Sequence, residues 1–492
     1  MISFLISIVA LVLGYFVYGK LVDRVFGPDP SRPTPSVTKA DGVDYIAMPS
    51  WKVYMIQFLN IAGTGPIFGA IMGAKFGPAS YLWIVLGCIF AGAVHDYMCG
   101  MLSVRHGGAG FPDLVGHYLG GGTKKVMLVF SMILLLLVGT VFVYSPALIL
   151  GDIAGDGGRG SIMLWVGIIF LYYVVATLLP IDKLIGRVYP LFAVALLFMA
   201  AALMVCLFVK WPSLPEFWDG LGGWNQKAGL TGQPLFPCLF ITIACGAISG
   251  FHATQSPLMA RCIQNEKMGR PVFYGSMITE GLVALIWAAV SSWFFFEGGA
   301  AAVGSDVSAA APTVVTKVSE GWLGLLGGIL AILGVVAAPI TSGDTAFRSA
   351  RLIIADFLHM EQKAIGKRLV VALPLFGLSA LLLWYNIADA NGFNTIWRYF
   401  GWSNQTLAAF MLWTATVYFV KRENGAVGPR KAYYLLTLLP ALFMTAVCVS
   451  FILVDKTGFR LPQTWAPWIG LGTFAISAIL FYLWKNRKNH VR

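Results

Sequence analysis

His95 and Asp96 stand side by side in an otherwise apolar stretch, and Glu280 stands alone in another. Ionisable groups in hydrocarbon are expensive and are retained where they carry ions or line a pathway. A buried carboxyl could carry a proton and a nearby imidazole could relay it; the alternative is a structural aspartate bonded to a helix break or to an arginine. Adjacent helical side chains point about 100° apart, so no direct His95–Asp96 bond is expected. Thr341 and Ser342 are neighbouring hydroxyls. They could serve a hard cation, which takes oxygen ligands, or bond back to their own helix. Asp344 and Arg348 have the i,i+4 spacing of a salt bridge or gate.

These groups surround two glycine-broken apolar segments. The first runs Gln57-Phe58-Leu59-Asn60-Ile61-Ala62-Gly63-Thr64-Gly65-Pro66. The second runs Ala244-Cys245-Gly246-Ala247-Ile248-Ser249-Gly250-Phe251-His252-Ala253-Thr254-Gln255-Ser256-Pro257. Backbone groups in lipid must be satisfied internally, so a break persists only where protein buries it or it lines a cavity. Paired breaks in matching halves mark the substrate site of one class of secondary transporter. The positive N-terminal ends of the half-helices suit a carboxylate, and freed carbonyls near Ile61 and Ala62 suit a cation. Gln57, Asn60, Gly63, Thr64, Gly65, Gly246, Ser249, Gly250, His252 and Gln255 are the substrate-facing candidates. Glycines that serve only close helix packing are the competing explanation.

Composition supplies the elements. Of 492 residues, 58% are hydrophobic and 11% charged, far below the roughly 25% of a soluble domain. The net charge of +12 lies in short connections, which argues against a nucleic-acid partner. The seven cysteines form no CxxC pair, so neither a disulfide framework nor a zinc site is expected. No phosphate-binding loop and no H-E-x-x-H spacing occurs, so ATP-driven transport and an intramembrane metalloenzyme are both disfavoured. The chain reads as no enzyme and needs no cofactor beyond a coupling proton or sodium ion. The opening Met1–Tyr18 run reads as a retained helix.

Thirteen apolar segments are long enough to span a bilayer: 3–19, 51–73, 80–102, 126–150, 161–179, 189–209, 235–258, 272–296, 322–346, 369–386, 397–420, 432–454 and 466–484, here spans 1 to 13. Basic residues test this count. Alternate connections, starting after span 1 and ending with the C-terminus, hold 25 lysines and arginines; the others hold 7. The positive-inside rule then places the N-terminus outside and the C-terminus in the cytoplasm. The longest connections are 20–50, 210–234 and 297–321. The broken spans are 2 and 7, five apart and oppositely directed. The expected organisation is an extra helix and linker (1–50), two inverted five-helix repeats (51–210 and 235–420), and two further helices with a basic tail (432–492).

The chain resembles the carbon starvation protein (CstA) family of bacterial peptide and pyruvate transporters. The resemblance is carried by Ile61-Ala62-Gly63-Thr64-Gly65-Pro66, Ala91-Gly92-Ala93-Val94-His95-Asp96-Tyr97 and Ala244–His252. It continues in Arg270-Pro271-Val272-Phe273-Tyr274-Gly275, Thr341-Ser342-Gly343-Asp344-Thr345-Ala346-Phe347-Arg348 and Phe400-Gly401-Trp402-Ser403-Asn404-Gln405. Many members carry Gln where His95 stands, and the chain is shorter than the family's long members. The resemblance implies an all-α LeuT-type fold with two discontinuous helices in a bacterial inner membrane. It implies ion-coupled import of a small carboxylate, peptide or pyruvate. His95, Asp96 and Glu280 would then couple protons, or Ala62, Thr341 and Ser342 would hold sodium. A passive channel is the main alternative, although channels more often use symmetric subunits or charged rings.

Overall fold

The computed structural model describes residues 1–154, 158–178, 185–221, 230–362, 364–389, 392–423 and 432–490. Lys183, Lys227, Lys363, Arg430, Lys431 and Arg492, used in the charge count, lie outside them, as does residue 179 at the end of span 5. The described chain is helical, with no strand. Each predicted span overlaps helix among the described residues, span 7 only on either side of its break, because long aliphatic runs can satisfy their backbone in lipid only within themselves. Nine helices among the described residues are long and apolar enough to cross a membrane. A tenth is Ser50–Ala62 with Gly65–Ala74, bent by 51°. Spans 7, 9 and 11 fall outside that set. Span 7 is two short helices, Leu235–Thr242 and Phe251–Ala260; spans 9 and 11 carry Asp344, Arg348, Asn404 and Gln405.

Two boundaries differ from expectation. Span 9 belongs to a helix running Ala311–Phe357, which takes up much of the expected 297–321 connection. Pro312 sits in its first turn, where a missing N–H costs nothing. The connection 20–50 is also partly helical, over Tyr18–Phe26 and Pro35–Thr38.

The breaks have distinct local causes. Ser50–Ala62 stops at Gly63, whose φ of 39° and ψ of −150° end the helical hydrogen bonding. Pro66 removes a donor, and the chain resumes as a wide π-helical turn over Gly65–Gly69. In span 7 the helix stops at Thr242 and restarts at Phe251, with Gly246 at φ 91° between them. The two breaks pack on each other. A β-carbon on Gly65 would collide with the Cys245 side chain, and one on Gly246 would stand 3.6 Å from Pro66 Cα and 2.5 Å from Ala284 Cβ. Further π-helical turns open span 8 at Arg270–Gly275 and interrupt span 3 at Cys88–Gly92, just before His95.

Gly63 combines a left-handed φ with a β-carbon position 2.6 Å from Phe142 Cζ. Gly63→Ala should therefore lower stability by about 2–4 kcal/mol, from left-handed strain plus overpacking. A thermal melt of the detergent-purified variant that matches the parent would contradict this account of the break.

Candidate substrate and ion site

A chain of ionisable groups lies against the breaks. His95, Asp96, His252 and Glu280 are all fully buried. His252 follows the second break by two residues, on Phe251–Ala260. Its Nδ1 lies 2.8 Å from Asp96 Oδ2, and its Nε2 lies 3.4 Å from Glu280 Oε2. The arrangement is carboxylate–imidazole–carboxylate, and it joins spans 3, 7 and 8. The second oxygen of Asp96 lies 2.8 Å from His95 Nδ1. That corrects the expectation of no direct His95–Asp96 bond. Asp96 has two acceptor oxygens, and the His95 ring folds sideways to reach the one that His252 leaves free. Among the described residues, His95 Nε2 has no hydrogen-bond partner.

The cysteine at the break joins this cluster. Cys245 Sγ, a His252 ring nitrogen and a Glu280 oxygen lie within 4.8 Å of one another, a grouping that sequence spacing does not reveal. The thiol is already engaged: it lies 3.4 Å from Ser249 Oγ and accepts from Asn404 Nδ2 at 3.6 Å. A metal ion there would have to displace both contacts.

Asn404 of span 11 holds the second break. Its Oδ1 accepts from Ser249 Oγ at 3.0 Å and from Phe251 N at 2.6 Å, and its backbone oxygen accepts from Gly250 N at 3.1 Å. No side chain fits at Gly250, because its β-carbon would meet that oxygen. Trp83 Nε1 donates to the carbonyl of Ile243, the first residue past the helix end, at 2.9 Å. Gln405 Nε2 donates to Phe240 O at 2.7 Å.

On the first broken span, Gln57 Nε2 donates to Ser256 Oγ at 3.2 Å. Both polar atoms of Asn60 and the Thr64 hydroxyl are buried without a partner among the described residues. Buried polar atoms are ordinarily bonded, so these are free to take a ligand. Gln255 is committed elsewhere, donating to Thr254 Oγ1 at 2.8 Å and Ser349 Oγ at 3.3 Å. Ser342 Oγ donates to Leu59 O at 2.9 Å, linking span 9 to the turn before Ala62 and Gly63. Thr341 Oγ1 instead bonds back to Ala338 O at 2.8 Å and Ala337 O at 3.0 Å, the local alternative open to a helical threonine.

The expected Asp344–Arg348 pair is replaced. Asp344 Oδ2 lies 2.6 Å from the Tyr189 hydroxyl. Arg348 Nη1 reaches Asp44 Oδ1 at 3.5 Å, and Arg351 Nη2 approaches the same oxygen at 3.8 Å. The reason is tertiary: the linker before span 2 carries Asp44 into the bundle, where it is 4% exposed beside two fully buried guanidinium groups. Met48 N donates to Cys262 O at 3.1 Å, and Arg261 stacks on Tyr45 at 5.0 Å. This linker closes one face of the molecule beneath the breaks. The face it closes carries the basic-rich connections, including Arg105, which bonds Glu266 at 3.1 Å.

Two outcomes follow. Asn404→Ala strips Phe251 N and Ser249 Oγ of their acceptor and should cost about 2–4 kcal/mol, since each buried polar group left unsatisfied costs about 1–3 kcal/mol. An unchanged melting temperature would refute the clamp. Asp44→Ala leaves two buried guanidinium groups without their carboxylate. It should raise amide exchange across residues 43–49 by about tenfold, a loss of about 1.4 kcal/mol in local closure; equal protection in both proteins would show that the pair seals nothing.

Residues 1–154, 159–323 and 318–450 match the family described as carbon starvation protein CstA. An uncharacterized membrane protein of Haemophilus influenzae is 47% identical over 60% of this chain and 91% of its own length. A peptide transporter CstA of Campylobacter jejuni is 28% identical, over 88% of this chain and 77% of its own. The pyruvate/proton symporter BtsT of Escherichia coli is 24% identical, over 93% and 81%. Among solved structures, an Eremococcus coleocola manganese transporter aligns with a TM-score of 0.58 at 12% identity, covering 92% of this chain and 99% of that one. A Na+-coupled sialic acid symporter aligns with a TM-score of 0.53 at 14% identity, covering 96% of each. At such identities these two establish the fold alone, an all-α transporter fold of the LeuT type. The chain belongs to the carbon starvation protein CstA family.

Proposed function

We propose that this protein is a secondary active transporter that imports a small carboxylate, a short peptide or pyruvate, coupled to protons. The observation that carries this reading is the Asp96–His252–Glu280 chain, buried in full beside two breaks that pack on each other. The substrate carboxylate would take backbone N–H groups at the half-helix starts around Gly65 and Gly250, and Asn60 and Thr64 would bind its remaining polar atoms. A proton passing along Asp96, His252 and Glu280, with His95 beside them, would link substrate binding to movement of spans 2 and 7. Residues 51–210 and 235–420 would form the two inverted repeats. The N-terminus would face the periplasm and the basic connections the cytoplasm of a bacterial inner membrane, and no catalytic step is required. One proton entering down 100 mV supplies about 2.3 kcal/mol, a roughly fiftyfold concentration ratio.

A sodium-coupled variant has one observation in its favour, the Ser342 hydroxyl placed on Leu59 O beside Ala62. In that case a sodium gradient alone would drive uptake, and Ser342→Ala would abolish the effect.

The deciding experiment is uptake of labelled pyruvate and of dialanine into proteoliposomes under an imposed inward proton gradient. Asp96→Asn cannot cycle a proton and should cut gradient-driven accumulation by at least about tenfold, while exchange of substrate without a gradient persists. Accumulation equal to that of the parent protein would remove Asp96 from the coupling mechanism.

A further inference from the structure

On the face opposite the linker, a cavity of about 310 Å³ opens above the breaks. The end of span 2 contributes Met72 and Lys75, the start of span 7 Gln233 and Thr242, and the start of span 11 Trp397 and Arg398. Its floor is aromatic: Trp397 lies 5.4 Å from Phe400 and 6.1 Å from Phe68, centroid to centroid. Directly below, a second small space is lined by Gly65, Cys245 and Phe400, and shares Ile241, Thr242 and Trp397 with the cavity. The cavity is therefore the mouth of a path to the breaks, with Trp397 between mouth and site.

The two cations of the mouth are not equivalent. Arg398 Nη1 is held by Asp455 Oδ2 at 2.6 Å, so that pair is close to neutral. Lys75 takes part in no ion pair among the described residues. Its ammonium lies 4.6 Å over the Phe295 ring, and burial lowers its proton affinity. A half-buried ammonium without a carboxylate partner gives a low-dielectric mouth one net positive charge, which draws anions in and holds them.

We propose that this mouth is a carboxylate-binding site separate from the one at the breaks, with Lys75 as the anchoring cation. It receives the anionic end of the incoming substrate before Trp397 moves aside. The proposal rests on the carboxylate-import reading, and its test separates the two.

Met72→Cys puts a thiol in the mouth, and its rate of labelling by a positively charged methanethiosulfonate reagent reports occupancy. The parent protein supplies the background of the native cysteines. The measurement is made in the Asp96→Asn protein, so that it does not depend on proton-driven transport. Pyruvate or dialanine should slow labelling at least about threefold, pyruvamide should not, and added Lys75→Gln should abolish the protection. In a protein that retains Asp96 and Met72, Lys75→Gln should raise the half-saturating pyruvate concentration for uptake about fivefold, and Lys75→Arg should restore it. Failure of both carboxylates to slow labelling overturns the mouth site even if uptake proceeds. Equal protection with and without Lys75 overturns its role as anchor. Protection in a protein whose parent imports neither compound upholds the mouth site and removes the import reading.

Discussion

Two stretches of unwound backbone in a buried interior impose the constraint on which the rest of this molecule depends. Each exposed amide or carbonyl there would cost about 1–3 kcal/mol if left alone. The protein meets the demand with fixed partners drawn from distant parts of the chain. Asn404 takes up donors from Ser249, Gly250 and Phe251; Trp83 takes the carbonyl of Ile243; Ser342 takes that of Leu59. The closeness of the two breaks follows from the same demand. Gly65 lies on Cys245 and Gly246 lies by Pro66, and no bulkier residue at either glycine would let the backbones meet.

That contact also explains where the ionisable groups lie. A histidine two residues beyond the second break points into the interface between spans 3 and 8, where it meets Asp96 and Glu280. The two contacts join span 7 to spans 3 and 8 through one side chain. His95 completes the arrangement by occupying the other oxygen of Asp96.

The two faces of the molecule differ in how they are closed. Beneath the breaks, Asp44 meets Arg348 and Arg351, and the linker covers the bundle with backbone and aromatic contacts. Above them, a polar cavity reaches down to one aromatic layer, Trp397 with Phe68 and Phe400.

Sequence alone determined the helical class, most of the long apolar helices, the two breaks and the rarity of the charges inside lipid. Those features are local: aliphatic runs, glycine and proline at set points, and the cost of a carboxylate in hydrocarbon act within one stretch of chain. It also marked Asp96, His252 and Glu280, although not their union. Tertiary structure decided which of these groups meet. The Asp344–Arg348 spacing was locally plausible, yet Tyr189 and the linker's Asp44 took the two partners, because residues more than 150 positions apart arrive closer than one helical turn. The same holds for Cys245 beside Glu280 and for Asn404 beneath Phe251. Side-chain reach is a few ångströms, so only the packing of whole helices could settle those contacts.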